Sequence, residues 1–131
     1  MAERADVHDR LAHRLEQWPR ACDVGGVAAQ ALGVDLDGLL AVLGAGAAAS
    51  TMLALKAAPM RAHDYATRFK TEHMLKDVAL CLEATREAGV PFDGAARVRE
   101  ALVAAVARGH GGDDFASLLE VVEAAAGRRL A

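Results

Sequence analysis

Aromatic side chains are scarce in this sequence, and isoleucine is absent. Phe, Trp and Tyr together make up 4% of the 131 residues. β-Branched and aromatic residues dominate most sheets, so their scarcity argues against a β-rich fold. Alanine, the strongest helix former, is abundant along the chain. The composition therefore predicts an all-α protein, and a hydrophobic content of 53% is enough for one compact domain.

The chain also lacks a large excess of either charge. Its 15 basic and 18 acidic residues are intermixed and give a net charge of −3. It therefore has neither the basic stripe of a nucleic-acid-binding protein nor an acidic tail. Residues 1–10 are charged from the outset and do not resemble a secretory signal. We expect a cytoplasmic protein that binds no nucleic acid, with Cys22 and Cys81 reduced.

One uncharged run, residues 38–55, is long enough to be considered as a membrane span. Gly, Ala, Ser and Thr lower its hydropathy, and buried helical hairpins produce the same kind of run. We therefore expect no membrane span.

Within that run, residues 44–49 read GAGAAA and fit the pattern G-x-G-x-x-[G/A]. A dinucleotide-binding fold needs a strand before these glycines and a helix after them, with an acidic residue about 20 positions later at the end of a second strand. Asp64 lies at about that distance, but PMRAHDYA, residues 59–66, is not strand-like. We interpret the glycines as a helix-to-helix turn with close backbone contacts, and a phosphate cradle as the alternative.

Hydrophobic spacing and helix stop signals predict about six helices in a single domain. Residues 60–69 are interpreted as a loop or a short turn of helix. The predicted helices are residues 3–18, ended by Pro19; a weak helix before Gly33; Asp35 to Gly44; 45–57, bounded by Pro59; 70–88, capped by Thr71 and ended by Gly89; 93–108, capped by Asp93 and closed by Gly109; and a last helix to residue 125, capped by Asp113 or Asp114 and ended by Gly127.

The longest predicted helix has an apolar face and a polar face. Leu80 falls on the polar side, which indicates that this side contacts a partner. The apolar face consists of Met74, Leu75, Val78, Cys81, Leu82 and Thr85, and the polar side carries Glu72, Lys76, Glu83 and Glu87. The spacing also predicts i,i+4 pairs between Glu72 and Lys76 and between His73 and Asp77.

The segment around this helix resembles the C-terminal domain of the β-hydroxyacid dehydrogenases. This family includes 3-hydroxyisobutyrate dehydrogenase and tartronate semialdehyde reductase, and the 6-phosphogluconate dehydrogenases are similar. The matching elements are Phe69, the sequence MLKD at residues 74–77, the sequence GVP at residues 89–91, and Asp114-Phe115-Ala116. The resemblance covers residues 28–125 and implies an all-helical domain.

The resemblance also divides the chain into two parts. Residues 1–27 form a divergent N-terminal helical segment, and residues 28–131 form the family-like domain. In the family, an N-terminal Rossmann domain binds NAD or NADP. The lysine of the MLKD element reaches that cofactor from the second domain, so the resemblance implies that Lys76 is a cofactor-binding residue.

The family's catalytic lysine lies in a G-x-x-x-K-x-x-N-N pattern, where it acts in proton transfer. Here residues 13–26 stand in that place and read HRLEQWPRACDVGG, and Lys56 has neither the spacing nor the setting to replace the lysine. We therefore expect no catalytic residue in this chain and no cofactor bound by this chain alone. NAD or NADP would bind only if a Rossmann-domain partner were present.

Two functions remain open from the sequence. In the first, the chain is a stand-alone or truncated C-terminal domain of an NAD(P)-dependent dehydrogenase-like oxidoreductase, inactive in isolation, whose partner is a separate Rossmann-domain chain. In the second, it is a non-catalytic module for homodimerisation or ligand binding. We expect a homodimer in either case, since dimers are usual in the resembled family.

Other chemistry finds little support in the sequence. None of the five histidines lies four residues from another, and no Cys/His cluster has zinc-binding spacing, so we expect no metal site. His73 and Asp77 are a minor alternative. Ser50 and Thr51 lie where relatives place substrate-contacting residues, but no base accompanies them. Cys81 is predicted to be a core residue rather than a reactive thiol.

Overall fold

The computed structural model describes residues 25–47 and 49–131, and these residues form a helical domain without a β-strand. A π-helical turn, Val106–His110, and a 3-10 turn, Phe115–Ser117, precede the last helix. The helices are α1 (Gly25–Ala31), α2 (Leu36–Ala45), α3 (Thr51–Arg61), α4 (Thr71–Glu87), α5 (Asp93–Ala105) and α6 (Leu118–Ala126). The predicted all-α class is confirmed. The predicted helix over residues 3–18 lies outside the described residues.

The boundaries of α1 and α2 follow from two residues named in the sequence. Gly33 adopts a φ of +73°, a left-handed conformation that glycine accommodates without strain. Asp35 then caps α2, because its side chain accepts a hydrogen bond of 2.7 Å from the backbone N–H of Gly38. Both boundary predictions are confirmed.

The prediction of a helix over residues 45–57 is wrong at both ends. α2 extends to Ala45, and α3 starts only after Ser50, whose hydroxyl accepts a hydrogen bond of 3.0 Å from the N–H of Leu53. α3 also continues past Pro59 to Arg61. Proline there removes one hydrogen bond near the end of the helix. The burial of the neighbouring Met60, which is 1% exposed in the core, offsets that loss.

The two glycines of residues 44–49 follow no strand: Gly44 lies in the last turn of α2, and Gly46 is its C-cap in the turn towards α3, as we interpreted that turn. A Cβ on Gly46 would lie 3.2 Å from the carbonyl oxygen of Val42, so the backbone approaches closely there. The uncharged run of residues 38–55 is divided between α2 and α3. Among the described residues, none of the helices has the length and apolar character needed to cross a membrane.

The two faces of α4 are as predicted. Val78, Cys81 and Thr85 are buried, and Leu80 is 57% exposed on the other side. α4 ends at Glu87, and Gly89, two residues later, has the φ of +70° that follows its C-cap Ala88. Val78 joins a core between α3, α4, α5 and α6 whose largest buried side chains are Met60, Leu102, Leu118 and Leu119.

Two predicted helix caps are wrong. Lys70 is the N-cap of α4 and Phe92 that of α5, so Thr71 and Asp93 are the first helical residues instead. Thr71 is fully buried, because its hydroxyl is used in a contact with the later part of the chain that sequence spacing does not reveal. Asp114 is the cap before α6, accepting from the N–H of Ala116.

Candidate functional site

Lys76, the predicted cofactor-binding residue, lies on the exposed side of α4. The predicted pair between Lys76 and Glu72 does not form, because Glu72 lies instead 3.4 Å from the ammonium of Lys70 and 3.9 Å from the ring of His73. The predicted pair between His73 and Asp77 is likewise not formed. Within residues 25–47 and 49–131, the ammonium of Lys76 has no ion-pair partner.

The start of α4 is fixed by backbone hydrogen bonds to the segment before α6. The N–H of Thr71 donates to the carbonyl of Asp113 at 2.9 Å, and the N–H of Glu72 donates to that of Gly111 at 3.1 Å. The N–H of Phe115 donates back to the carbonyl of Phe69 at 3.1 Å. The two segments therefore run side by side, and these hydrogen bonds hold the first turn of α4, the helix that carries Lys76, in position.

Asp114 is the centre of this junction. It is 3% exposed, and its Oδ1 accepts hydrogen bonds from the ammonium of Lys56 at 2.5 Å and from the N–H of Ala116 at 3.0 Å. Its Oδ2 accepts from the N–H groups of Arg68 and Phe69, each at 3.1 Å. Both carboxylate oxygens are thus fully used, and they hold the loop that leads into α4.

The electrostatics of Asp114 follow from these contacts. Burial by itself would raise the pKa of the carboxyl, but the hydrogen bond from Lys56 and those from Ala116, Phe69 and Arg68 lower it below its ordinary value. Lys56 is 5% exposed, and its ammonium lies 4.4 Å from the ring centre of Phe115. The pair is a buried structural contact, since neither charged group is open to a ligand.

Two buried hydroxyls complete the junction. The hydroxyl of Thr71 donates to the carbonyl of Asp113 at 3.1 Å, and the hydroxyl of Ser117 lies 3.1 Å from that of Thr71. Because the proton of Thr71 is engaged at Asp113, Ser117 is the donor to Thr71. Thr71 and Ser117 are both fully buried, so these hydroxyls support the fold and offer no nucleophile.

The remaining candidates from the sequence are not brought together with Lys76. The hydroxyl of Ser50 is used to cap α3. Cys81 is 7% exposed, and burial raises the pKa of its thiol, which confirms it as a core residue. Cys22 lies outside the described residues.

Sequence reasoning missed the pairing of Lys56 with Asp114, which are 58 residues apart. One signal was present in the sequence. Leu53, Lys56 and Met60 follow each other at helical spacing of three and four residues, and all three are buried on the same face of α3. A lysine on an otherwise apolar face requires a buried partner.

A protein-family model matches most of this sequence. The model is described as the NAD-binding domain of NADP-dependent 3-hydroxyisobutyrate dehydrogenase, and it matches residues 25–122, well over half of the chain. The chain belongs to this family. Its helices correspond to the C-terminal helical domain of the family's enzymes, so the resemblance drawn from the MLKD and GVP elements is confirmed.

A solved structure shows the same fold. The crystal structure of 3-hydroxyisobutyrate dehydrogenase from Salmonella typhimurium matches with a TM-score of 0.74 and 20% sequence identity. The match covers 86% of this chain and 40% of that enzyme, so the chain spans well under half the length of its solved relative. A comparison with curated protein sequences gives no significant match.

Proposed function

We propose that the chain is the helical domain of an NAD(P)-dependent oxidoreductase-like protein and that it acts together with a dinucleotide-binding domain. Membership of the family and the fold support this role. Residues 25–47 and 49–131 contain no strand, and so they provide no βαβ platform for a dinucleotide. The chain alone is therefore proposed to transfer no hydride, and its cofactor is NAD or NADP held mainly by the other domain.

Lys76 is the proposed contact to the cofactor. The observation that carries this assignment is an exposed ammonium, without an ion-pair partner among the described residues, on a helix whose first turn is fixed by residues 111–115. A lysine ammonium is a compact charge suited to the phosphates of a dinucleotide. The fixed helix start keeps that charge in one position, which lowers the ordering cost of binding.

Turnover by the purified chain tests the proposed inactivity. We expect no oxidation of NADH or NADPH above background with small 2-oxo acids or semialdehydes as substrates. Turnover that increases with the concentration of the chain would overturn this part of the proposal.

The role of Lys76 is tested by an NMR titration of the chain with NADPH and NADH. A single charge contact gives weak binding, so we expect amide shifts near Lys76 only at millimolar concentrations, which correspond to about −4 kcal/mol. Lys76→Ala should abolish these shifts. Arg99→Ala, which removes an exposed positive charge from α5, should leave them unchanged. Shifts that persist in Lys76→Ala, or none in the wild type, contradict the assignment.

A second candidate function is that of a homodimerisation module. Leu80 is 57% exposed in the middle of α4, on the side that is otherwise polar. An exposed leucine of this kind suits a contact with a second copy of the chain. Such a dimer is compatible with the first function, and a cytoplasmic location belongs to both proposals.

Sedimentation measurements test this dimer. We expect the wild-type chain to sediment as a dimer and Leu80→Glu as a monomer. Val42→Glu makes the same change at another side chain, 70% exposed on α2, and should remain a dimer. A monomeric wild type, or dissociation by both substitutions alike, argues against the dimer on α4.

A further inference from the structure

A second group of polar side chains lies away from Lys76, between the loop after α3 and the last helix. The Nε2 of His63 lies 2.8 Å from the Oε1 of Glu123. Glu120 is one helical turn before Glu123 on α6. One ligand atom from each of these three side chains lies within 4.8 Å of the others. We call His63, Glu120 and Glu123 the loop–α6 cluster.

The carboxylates of this cluster are oriented by further hydrogen bonds. The hydroxyl of Tyr65 donates to the Oε1 of Glu120 at 2.8 Å. The N–H of Leu130 donates to the Oε1 of Glu123 at 2.7 Å. Hydrogen bonds of this kind hold the ligands of metal sites in position and raise the affinity for the metal. The hydrogen bonds from Tyr65 and Leu130 therefore hold both carboxylates in place, which distinguishes this cluster from a group of mobile acidic side chains on a surface.

One carboxylate oxygen of the cluster belongs to a buried side chain and accepts no hydrogen bond from the described residues. The side chain of Glu123 is 6% exposed, and both of its hydrogen bonds go to Oε1. Its Oε2 accepts no hydrogen bond from residues 25–47 or 49–131. A buried carboxylate oxygen of this kind requires a proton donor or a cation.

The charge of the cluster also favours a cation. Glu120 and Glu123 are two like charges, and among the described residues a single guanidinium, that of Arg129, lies beside them, 4.0 Å from Glu120.

We propose that His63, Glu120 and Glu123 bind one Zn²⁺ ion. An imidazole nitrogen with carboxylate oxygens is a donor set that zinc accepts, at distances of about 2.0–2.2 Å, and three protein ligands leave a fourth position for water. The ion binds the Nε2 of His63 in place of the hydrogen shared with Glu123. That proton moves to the Nδ1 of a neutral ring, or it leaves to solvent from a protonated ring. The side chains of His63 and Glu120 are 13% and 22% exposed, which gives the ion a route of entry.

A zinc ion here differs from the absence of a metal site that the spacing of the histidines predicts. His63 and Glu123 are 60 residues apart, so no local pattern brings them together. A bound ion would join the loop after α3 to α6 and to the segment at Leu130. It would act as a clamp on the fold, independent of the proposed contact between Lys76 and the cofactor.

Competition with a chromophoric chelator tests the zinc site in the chelator-treated chain. We expect one Zn²⁺ bound per chain, and at least about tenfold weaker binding in His63→Asn and in Glu120→Gln. Tyr65→Phe removes only an orienting hydrogen bond and should also weaken binding, by a smaller factor. The control is His73→Asn, which removes an exposed histidine beside Glu72 and should leave the affinity unchanged.

Several outcomes would overturn the proposal. These are an absence of saturable zinc binding, an affinity that is the same in Glu120→Gln and wild type, or an equal loss in His73→Asn. Circular dichroism of each metal-free variant shows whether it is folded. If His63→Asn does not fold, Glu120→Gln decides, since Glu120 is the more exposed of the two carboxylates.

Discussion

Two buried acid–base pairs join the region of α3 to the end of the chain, and they differ in how fully the carboxylate is used. Asp114 accepts four hydrogen bonds, spread over both of its oxygens. Glu123 accepts two, both on the same oxygen. The partner of Asp114 is a lysine, whereas that of Glu123 is a histidine, whose ring nitrogen is a common metal ligand. Similar burial therefore supports two roles, a closed structural contact and a cluster that can accept a cation.

The largest effect is expected from Asp114→Asn. This substitution leaves the ammonium of Lys56 buried without a counter-charge, and breaking a buried pair in this way costs about 3–5 kcal/mol of unfolding free energy. Urea unfolding measures the loss. Asp37→Asn, in the exposed pair with Arg61, is the matched control and should change stability little.

A double substitution sharpens this test. Lys56→Met combined with Asp114→Asn removes both charges, so it should be less destabilising than Asp114→Asn alone. If the two variants are equally unstable, the cost comes from the lost backbone hydrogen bonds at Asp114 and not from the unpaired lysine.

Acid should remove the same contact without a substitution. The pKa of Asp114 is lowered in the folded state, so its contribution to stability is present above the ordinary value of 3.8 and is lost as the pH falls through the folded pKa. Urea unfolding over a pH series should show the difference between wild type and Asp114→Asn constant near neutral pH and smaller below 3.8. A difference that stays constant in acid would mean that the carboxylate charge contributes nothing.

Removing the carboxylate of Glu123 should lower the free energy of unfolding by less than Asp114→Asn does. In the metal-free chain, Glu123→Ala leaves the ring of His63 and the N–H of Leu130 without their acceptor, at a cost of about 1–3 kcal/mol. Thermal and urea unfolding measure this, with the exposed Glu87→Ala as control. A loss as large as that of Asp114→Asn would remove the distinction between the two pairs.

The smallest effect is expected at the buried hydroxyls. Thr71→Val removes the donor to the carbonyl of Asp113 and the acceptor for Ser117, and should cost about 1 kcal/mol. Thr85→Val is the matched control, because its hydroxyl donates only to carbonyls of its own helix. If Thr85→Val lowers the free energy of unfolding as much, the hydrogen bonds of Thr71 to Asp113 and Ser117 contribute no more than any other buried hydroxyl.

The sequence was sufficient for features that depend on neighbouring residues. Gly33, Gly89 and Gly127 each end a helix with a positive φ, and Asp35 caps the helix that follows it. The apolar face of α4 follows from helical spacing alone. The MLKD element identified the family because it is a local string of residues.

Features that depend on distant residues were missed. Thr71 is a good cap by residue type, but its hydroxyl donates to the carbonyl of Asp113, 42 residues later.

One prediction from local spacing was also wrong. Glu72 and Lys76 have the spacing of an ion pair, but the carboxylate of Glu72 lies next to Lys70 and His73 instead. Exposed pairs of this kind are stabilised so weakly that a nearer cation decides the partner.

The contacts of Asp114 also determine the order in which the chain can fold. α4 can form as soon as residues 71–87 have been synthesised, because its hydrogen bonds are local. Its first turn and the side chain of Lys56, however, wait for partners that lie 42 to 58 residues further along. A nascent chain that stops before Asp114 therefore holds an uncompensated lysine on the apolar face of α3.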